Sequence, residues 1–151
     1  TLDLVVIGGF HGAGRRAGTI GALLMAAYDA EENRYKTVCK LGSGFTDQNL
    51  QEIKEILSPL IRENGEPNPQ VDTNMKPDLH IDPEVVLEVL GAEISFSPVH
   101  TCGRGRLKKD FGLALRFPRF TGRFRDDKSP MDATSVSEIE SFYLEQRKAA
   151  N

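Results

Sequence analysis

Tryptophan is absent from this chain of 151 residues, cysteine occurs only twice, and there is no long apolar run. A membrane-spanning helix needs roughly 18 or more consecutive apolar residues, so the sequence predicts no membrane span. The amino terminus has no cleavable signal pattern, because Thr1-Leu2-Asp3 leads directly into a strand-like apolar segment. Cys39 and Cys102 accompany enough apolar sequence to build a core, and this combination favours reduced thiols in an intracellular protein.

Patterns for metal binding and nucleophilic catalysis are equally sparse. His100 and Cys102 lie close together, but a structural zinc site needs a second spaced pair of ligands, and the sequence offers none. No spacing in the chain indicates a Ser-His-Asp or Cys-His catalytic group. We therefore predict no metal site, and we assign the acidic run in residues 45–101 to a solvated helix face and loop.

Charge is distributed unevenly along the chain, whose formal net charge is −3. Residues 45–101 carry 3 Lys/Arg and 11 Asp/Glu, whereas residues 102–128 carry 9 Lys/Arg and 3 Asp/Glu. The second block is therefore a strongly basic region inside an acidic protein. Such a block is the electrostatic footprint expected for an anionic partner, although the net charge alone would argue against one.

The most informative stretch is RFPRFTGRFRDDK, at residues 116–128. Its cations are interleaved with Phe117, Phe120 and Phe124. Arginine binds phosphate through a planar fork, and phenylalanine stacks on bases or wedges between them. The three phenylalanines do not alternate strictly, so they cannot share one strand face, and Pro118 must lie at an edge or a bulge. The segment predicts a surface for polyphosphate or nucleic acid, and an ordinary solubilising surface strand is the alternative.

Apolar periodicity predicts a mainly β protein with two or three helices. Strands are expected at 2–8, 21–28, 35–41, 85–89, 92–97, 112–116 and 120–125. A helix with Thr46 as its N-cap should follow the third of these, and another should span 135–148. This order suits a five-stranded β-barrel of the OB type. Residues 1–134 would form that fold, with 135–151 as a C-terminal helix packed on it or extending from it.

A glycine-rich loop follows the first strand, and residues 12–17 match the G-x-G-x-x-G/A pattern of dinucleotide-binding folds. Residues 8–11 separate the pattern from the strand, and Arg15 and Arg16 would crowd a turn meant for close approach to pyrophosphate. The next strand leads to Lys40 instead of the acidic residue expected for ribose. We favour a basic loop that contacts phosphate, with a plain hairpin loop and a dinucleotide site as alternatives.

Three segments together resemble one protein family: LDLVVIGGFHGAGRRAG (2–18), VCKLGSGFTDQNL (38–50) and LRFPRFTGRFRDDKSPMDAT (115–134). They are similar to the C-terminal OB domain of ATP-dependent DNA ligases of the archaeal and eukaryotic replicative type, over nearly the whole chain. The most specific motif is RFPRF followed by R-x-D-K at 125–128. The resemblance implies a domain that helps to seal nicks in duplex DNA during replication, repair and recombination.

The resemblance also implies roles for individual residues. The family adenylylates its own lysine, transfers AMP to a 5′-phosphate and seals the nick with the 3′-hydroxyl, while this domain closes first on ATP and then on nicked DNA. By carry-over from the last motif, Arg123, Arg125 and Lys128 would bind the ATP phosphates. The residues implied in DNA contact are Arg116, Phe117, Arg119, Arg15 and Arg16.

The lysine nucleophile of that family lies in a K-x-D-G motif, and residues 1–151 contain none. We therefore expect the chain to be the last domain of a longer ligase, inactive by itself and without a tightly bound cofactor. The full-length enzyme would use ATP and Mg²⁺, nicked duplex DNA, an adenylation domain in the same chain and, through other regions, a sliding clamp. It would be cytoplasmic in an archaeon.

The alternative function is a free-standing OB module that binds single-stranded nucleic acid. Such a module needs base-stacking aromatics spread over the barrel face. This chain has no tryptophan and concentrates its aromatics among cations in one segment, so we favour the ligase domain.

Overall fold

The computed structural model describes residues 1–14 and 19–150. Over these residues the chain forms nine strands and two α-helices. The strands are β1 (Leu2–His11), β2 (Ile20–Asp29), β3 (Arg34–Leu41), β4 (Val71–Asp72), β5 (Leu79–His80), β6 (Val86–Leu90), β7 (Glu93–Ser97), β8 (Gly112–Arg116) and β9 (Arg119–Phe124). The helices are α1 (Asp47–Leu57) and α2 (Val136–Ala150), and short 3-10 turns span Ser58–Leu60 and Pro130–Asp132. The predicted class, mainly β with two or three helices, is confirmed.

Seven of the described strands form one hydrogen-bonded sheet in the order β4-β3-β2-β1-β6-β9, with β5 paired to β1. The β3–β4 pair is parallel, and the other pairs are antiparallel. Strands β7 and β8 form a separate hairpin, which is tied to β3 because the Cys102 N–H donates to the Thr37 carbonyl at 3.0 Å. The hydrogen-bonded path is open and has more strands than the closed five-stranded barrel expected from the sequence.

Two features of the chain explain this difference. Strands β4 and β5 contain two residues each and lie in a polar segment with prolines, where no period can be recognised. Strands β6 and β7 are nearly continuous in sequence, but the chain changes partner between them: β6 pairs with β1 and β9, whereas β7 pairs with β8. Gly91 stands at this change, where a Cβ atom would collide with the Leu115 side chain.

Strands β1 and β2 are buried on both faces, which accounts for their nearly continuous apolar sequences. Successive side chains of a strand point to opposite faces, so Leu4 and Val6 enter the main core while Val5 and Ile7 enter a smaller second core. The segment around Pro77 covers the second core. Its close approach requires Gly8, because a Cβ atom there would lie 2.8 Å from the Pro77 Cγ.

Both cysteines are free thiols buried in the main core. Burial raises the pKa of the Cys39 thiol to about 12, and it also raises the pKa of Cys102. Only the thiolate is a strong nucleophile, so these cysteines act as small apolar core residues.

Each helix is fixed by a recognisable local contact. The predicted N-cap of α1 is confirmed: the Thr46 hydroxyl accepts from the Asn49 N–H at 3.0 Å, and the Asn49 side chain accepts from the Thr46 N–H at 3.1 Å. Helix α2 packs on β7, because the Gln146 amide both donates to and accepts from the Ile94 backbone at 2.8 Å. Over residues 1–14 and 19–150, neither helix is long and apolar enough to cross a membrane.

Candidate nucleotide-phosphate and nucleic-acid interface

Strand β9 carries the aromatic and basic segment and is anchored through Phe120. The Phe120 side chain is fully buried, and its ring lies 5.3 Å from the rings of both Phe45 and Phe124. The Phe120 N–H donates to the Ser43 carbonyl at 2.8 Å, and Gly44, at φ 91°, lets this loop approach β9. A Cβ at Gly44 would collide with the Phe120 backbone. Two of the segment's three phenylalanines therefore belong to the core.

Phe117 lies in the turn between β8 and β9 and has the opposite environment. Its side chain is 69% exposed, and its φ is 55°. A residue before proline normally adopts an extended conformation, and a positive φ is strained for a residue with a bulky side chain, so this backbone costs on the order of 1–3 kcal/mol. The apolar ring of Phe117 therefore lies in solvent on a strained backbone, where it contributes nothing to the core.

The two arginines that flank this turn are also exposed. The Arg116 guanidinium lies over the Phe117 ring at 4.9 Å and pairs with Glu93 at 3.4 Å. Within the described residues, the Arg119 side chain has neither a hydrogen bond nor an ion pair, and its backbone lies opposite Leu90 in the β6–β9 pair. The turn thus presents one ring and two exposed arginines on the same projection, which is the mixture that binds nucleic-acid backbones and bases.

The other end of β9 carries cations that are already paired. Arg125 donates through Nη1 to both carboxylate oxygens of Asp3, at 3.0 and 3.2 Å. Its Nε and Nη2 donate to the two oxygens of Asp127, each at 3.0 Å. Lys128 reaches the same Asp3 carboxylate at 3.1 Å. The Arg125 pair lowers the pKa of Asp127 to about 2, and hydrogen bonding to Asp127 raises the pKa of Arg125.

Arg123 completes this basic group on the same strand. Its Nη1 lies 3.4 Å from a carboxylate oxygen of Glu88, and its side chain is 58% exposed. Thr121 donates to the other oxygen of Glu88 at 3.0 Å. Glu88 belongs to β6, the strand that pairs with β9, so the contact follows directly from the sheet order. We call Arg123, Arg125 and Lys128 the phosphate-side cations.

The segment after β9 returns to the start of β1, and this return brings Lys128 to Asp3. The Asp3 N–H donates to the Thr134 hydroxyl at 2.9 Å, and the Thr134 N–H donates to the Asp3 carbonyl at 2.8 Å. The Tyr28 N–H also donates to the Thr134 carbonyl at 3.1 Å. Residues 125–134 are therefore held beside the start of β1 and the end of β2, and the R-x-D-K motif has a defined place.

Arg15 and Arg16 lie outside the described residues, so their predicted DNA contact stays a prediction. The ends of their loop are described: the Gly12 N–H donates to the Thr19 carbonyl at 2.8 Å, and β1 and β2 pair directly on either side. A dinucleotide fingerprint needs a helix after its glycines, whereas an antiparallel strand follows here. The dinucleotide alternative is therefore wrong, because the loop joins two antiparallel strands, and the predicted phosphate contact of the loop stays a prediction.

Sequence reasoning missed the acidic partners of the phosphate-side cations. Asp3 and Glu88 lie in strands that look like ordinary amphipathic or buried segments, and Asp127 looks like part of a solvated motif. Nothing local marks Asp3, which is 122 residues from Arg125 along the chain. The contact between Asp3 and Arg125 can be recognised only when the strands are placed side by side.

Comparison with known proteins decides the family. Residues 16–128 match the family described as the ATP dependent DNA ligase C terminal region. This chain belongs to that family. The match includes the whole of β9 and the R-x-D-K motif, which are the parts of the chain that carry the phosphate-side cations.

The ligase relatives are similar over almost the entire chain. DNA ligase 2 of Thermofilum pendens is 53% identical over 150 residues, which cover 99% of this chain and 25% of that protein. The DNA ligase of Caldivirga maquilingensis is 53% identical over 148 residues, covering 98% of this chain and 24% of that protein. The chain thus spans about a quarter of the length of these relatives, so it corresponds to one region of a ligase.

Solved structures support the fold. The ligase domain of M. tuberculosis LigD has a TM-score of 0.63 at 23% identity, and the match covers 88% of this chain and 37% of that one. A mycobacterial DNA ligase D complexed with ATP and MES has a TM-score of 0.58 at 24% identity, covering 89% of this chain and 38% of that one. The predicted OB-type ligase fold is therefore confirmed, even though the hydrogen-bonded sheet of the described residues does not close.

Proposed function

We propose that this domain acts within an ATP-dependent ligase that seals nicks in duplex DNA. Arg123, Arg125 and Lys128 bind the ATP phosphates during adenylylation of the enzyme. Arg116, Phe117 and Arg119, with Arg15 and Arg16, then contact the nicked DNA. Residues 1–134 serve as the OB unit, and 135–151 serve as a C-terminal helix packed on it or extending from it. The enzyme acts inside the cell, with an adenylation domain in the same chain and, through other regions, a sliding clamp.

The observation that carries this proposal is the division of β9 into two chemically different ends. One end holds three cations around a single short stretch, and nucleotidyl transfer needs this kind of charge neutralisation more than it needs covalent chemistry from the protein. The other end holds an exposed ring and two exposed arginines. If one end of the strand binds ATP phosphates and the other binds DNA, the domain must turn between the two steps. Each end then meets its ligand only when the domain is closed.

The phosphate-side cations suit phosphate oxygens and do not suit a metal. Mg²⁺ takes oxygen ligands in octahedral geometry, and the carboxylates in this cluster are already paired with arginine and lysine. We therefore assign Mg²⁺ to the ATP phosphates and to other parts of the full-length enzyme. The lysine nucleophile also belongs to another segment, because residues 1–151 contain no K-x-D-G motif.

The role of Arg125 is tested in a full-length ligase that carries this domain. Arg125→Ala should slow adenylylation by about 100-fold, the usual cost of removing one preorganised charge-stabilising donor. Sealing of nicks that are already adenylylated should change little, because no triphosphate takes part in that step. Rates of the two steps are measured separately, by transfer of labelled AMP to the enzyme and by joining of pre-adenylylated nicked duplex.

Arg147→Ala is the matched control, because it removes an exposed arginine from α2, away from β9. It should leave both steps unchanged. Equal losses in the two steps for Arg125→Ala would contradict the assigned role. The alternative function, a module for single strands, would be favoured if the chain bound a single strand more tightly than nicked duplex in a titration.

A further inference from the structure

The phosphate-side cations are held by two carboxylates that face each other on neighbouring strands. In the antiparallel register of β1 and β6, Asp3 lies directly opposite Glu88. Each of these side chains is only 17% exposed. Like charges directly opposite on a sheet are destabilising unless cations neutralise them. Here Arg125 and Lys128 pair with Asp3, and Arg123 pairs with Glu88, so two neighbouring groups of ion pairs neutralise the facing carboxylates.

The contacts of Arg125 have a consequence for phosphate binding. All three guanidinium nitrogens are engaged, Nη1 with Asp3 and both Nε and Nη2 with Asp127, and the side chain is only 13% exposed. A phosphate oxygen needs the same planar fork that a carboxylate uses. Arg125 therefore cannot turn Nη1 to a phosphate unless Asp3 leaves it, and an anionic carboxylate beside a triphosphate would be repelled.

We propose that Asp3 and Glu88 are positioning residues that occupy the phosphate-side cations in the open domain and exchange with the ATP phosphates when the domain closes. This inference rests on the proposed function. The carboxylates keep the cations ordered before ATP arrives, and they take them back when pyrophosphate leaves. The exchange replaces one set of charge-assisted hydrogen bonds with another, so it weakens the net affinity for polyphosphate and favours release before the domain turns to DNA.

The test uses Asp3→Asn in a full-length ligase that carries this domain. The amide keeps the shape of Asp3 and its backbone bonds to Thr134 but removes the competing charge. The KM for ATP in adenylylation should fall about threefold, since the phosphates no longer compete with a charged carboxylate for Arg125 and Lys128. Inhibition by pyrophosphate should strengthen by a similar factor, because the same cations hold the product.

Asp126→Asn is the matched control. Asp126 neighbours Arg125, carries the same charge and has no hydrogen bond or ion pair among the described residues, so it tests whether net charge alone explains the effect. It should change the KM for ATP much less than Asp3→Asn does. Glu88→Gln should act in the same direction as Asp3→Asn, with a smaller effect, because Arg123 is more exposed than Arg125.

A purely structural role for Asp3 would raise the KM for ATP or lower kcat, and it would lower the melting temperature. An unchanged or raised KM in both Asp3→Asn and Glu88→Gln overturns the inference, as does an equal effect of Asp126→Asn. These outcomes are separable from failure of the proposed function: if Arg125→Ala still slows only adenylylation, the phosphate role stands and the exchange alone is wrong.

Discussion

Both ends of β9 are rich in arginine and phenylalanine, but their environments are opposite. At the β8–β9 turn, Phe117 is exposed on a strained backbone, and the Arg119 side chain has no hydrogen bond or ion pair among the described residues. At the far end, Arg125 is almost covered and is paired with two carboxylates. At the first end only Arg116 is paired with a carboxylate, whereas at the second all three cations are paired and must give up a partner before they can bind. A dense basic segment is therefore not one uniform binding patch.

The largest expected effect is on stability, and it comes from the core residue that lies between the two ends of β9. Phe120→Ala should lower the free energy of unfolding by about 3–5 kcal/mol, the usual cost of removing a buried phenylalanine. Phe120 also contacts Phe45 and Phe124, so its loss should loosen both ends of β9. Chemical denaturation measures the change. A loss below about 1 kcal/mol would show that β9 is held mainly by its hydrogen bonds.

An intermediate effect is expected at the exposed turn. Phe117→Ala in the full-length ligase should weaken binding of nicked duplex by about tenfold, because stacking of an aromatic on a base contributes about 1–3 kcal/mol. It should leave the free energy of unfolding nearly unchanged, since the ring has no place in the core.

Phe142→Ala is the control for this change, because Phe142 is the other exposed phenylalanine of the described residues and lies on α2. It should not alter DNA binding. If Phe117→Ala lowered stability and left DNA binding intact, the turn would be a structural element, and the contrast between the ends of β9 would fail.

The smallest effect concerns protonation at the paired end. In the native domain the Asp127 carboxyl should titrate with a pKa of about 2, and in Arg125→Ala the pKa should rise toward its ordinary value. A carboxyl with a lowered pKa stabilises the fold above its unfolded pKa and loses that contribution as the pH falls through the folded value. The pair is therefore intact throughout neutral and mildly acidic pH. Carbon-13 NMR of the side-chain carboxyl follows the titration, and an unshifted pKa would indicate that the pair does not persist.

Much of the fold could be predicted from local pattern. The apolar runs of β1 and β2 and the N-cap at Thr46 were recognisable because strand periodicity and helix capping depend on neighbouring residues. The two-residue strands β4 and β5 were not recognisable, since so short a segment has no period. The open path of the sheet also escaped prediction, because the change of partner at Gly91 depends on which strands lie nearby.

The sequence by itself determined the family, the mainly β class and the identity of the cations, since motifs and side-chain chemistry are properties of the residues themselves. Only the tertiary structure decided which of those cations are available. Asp3 and Arg125 are 122 residues apart in the chain. They meet because β6 pairs with both β1 and β9 and so brings these two strands into one sheet. Hydrogen-bonded strand pairing over such separations places charges together, and no local pattern records it.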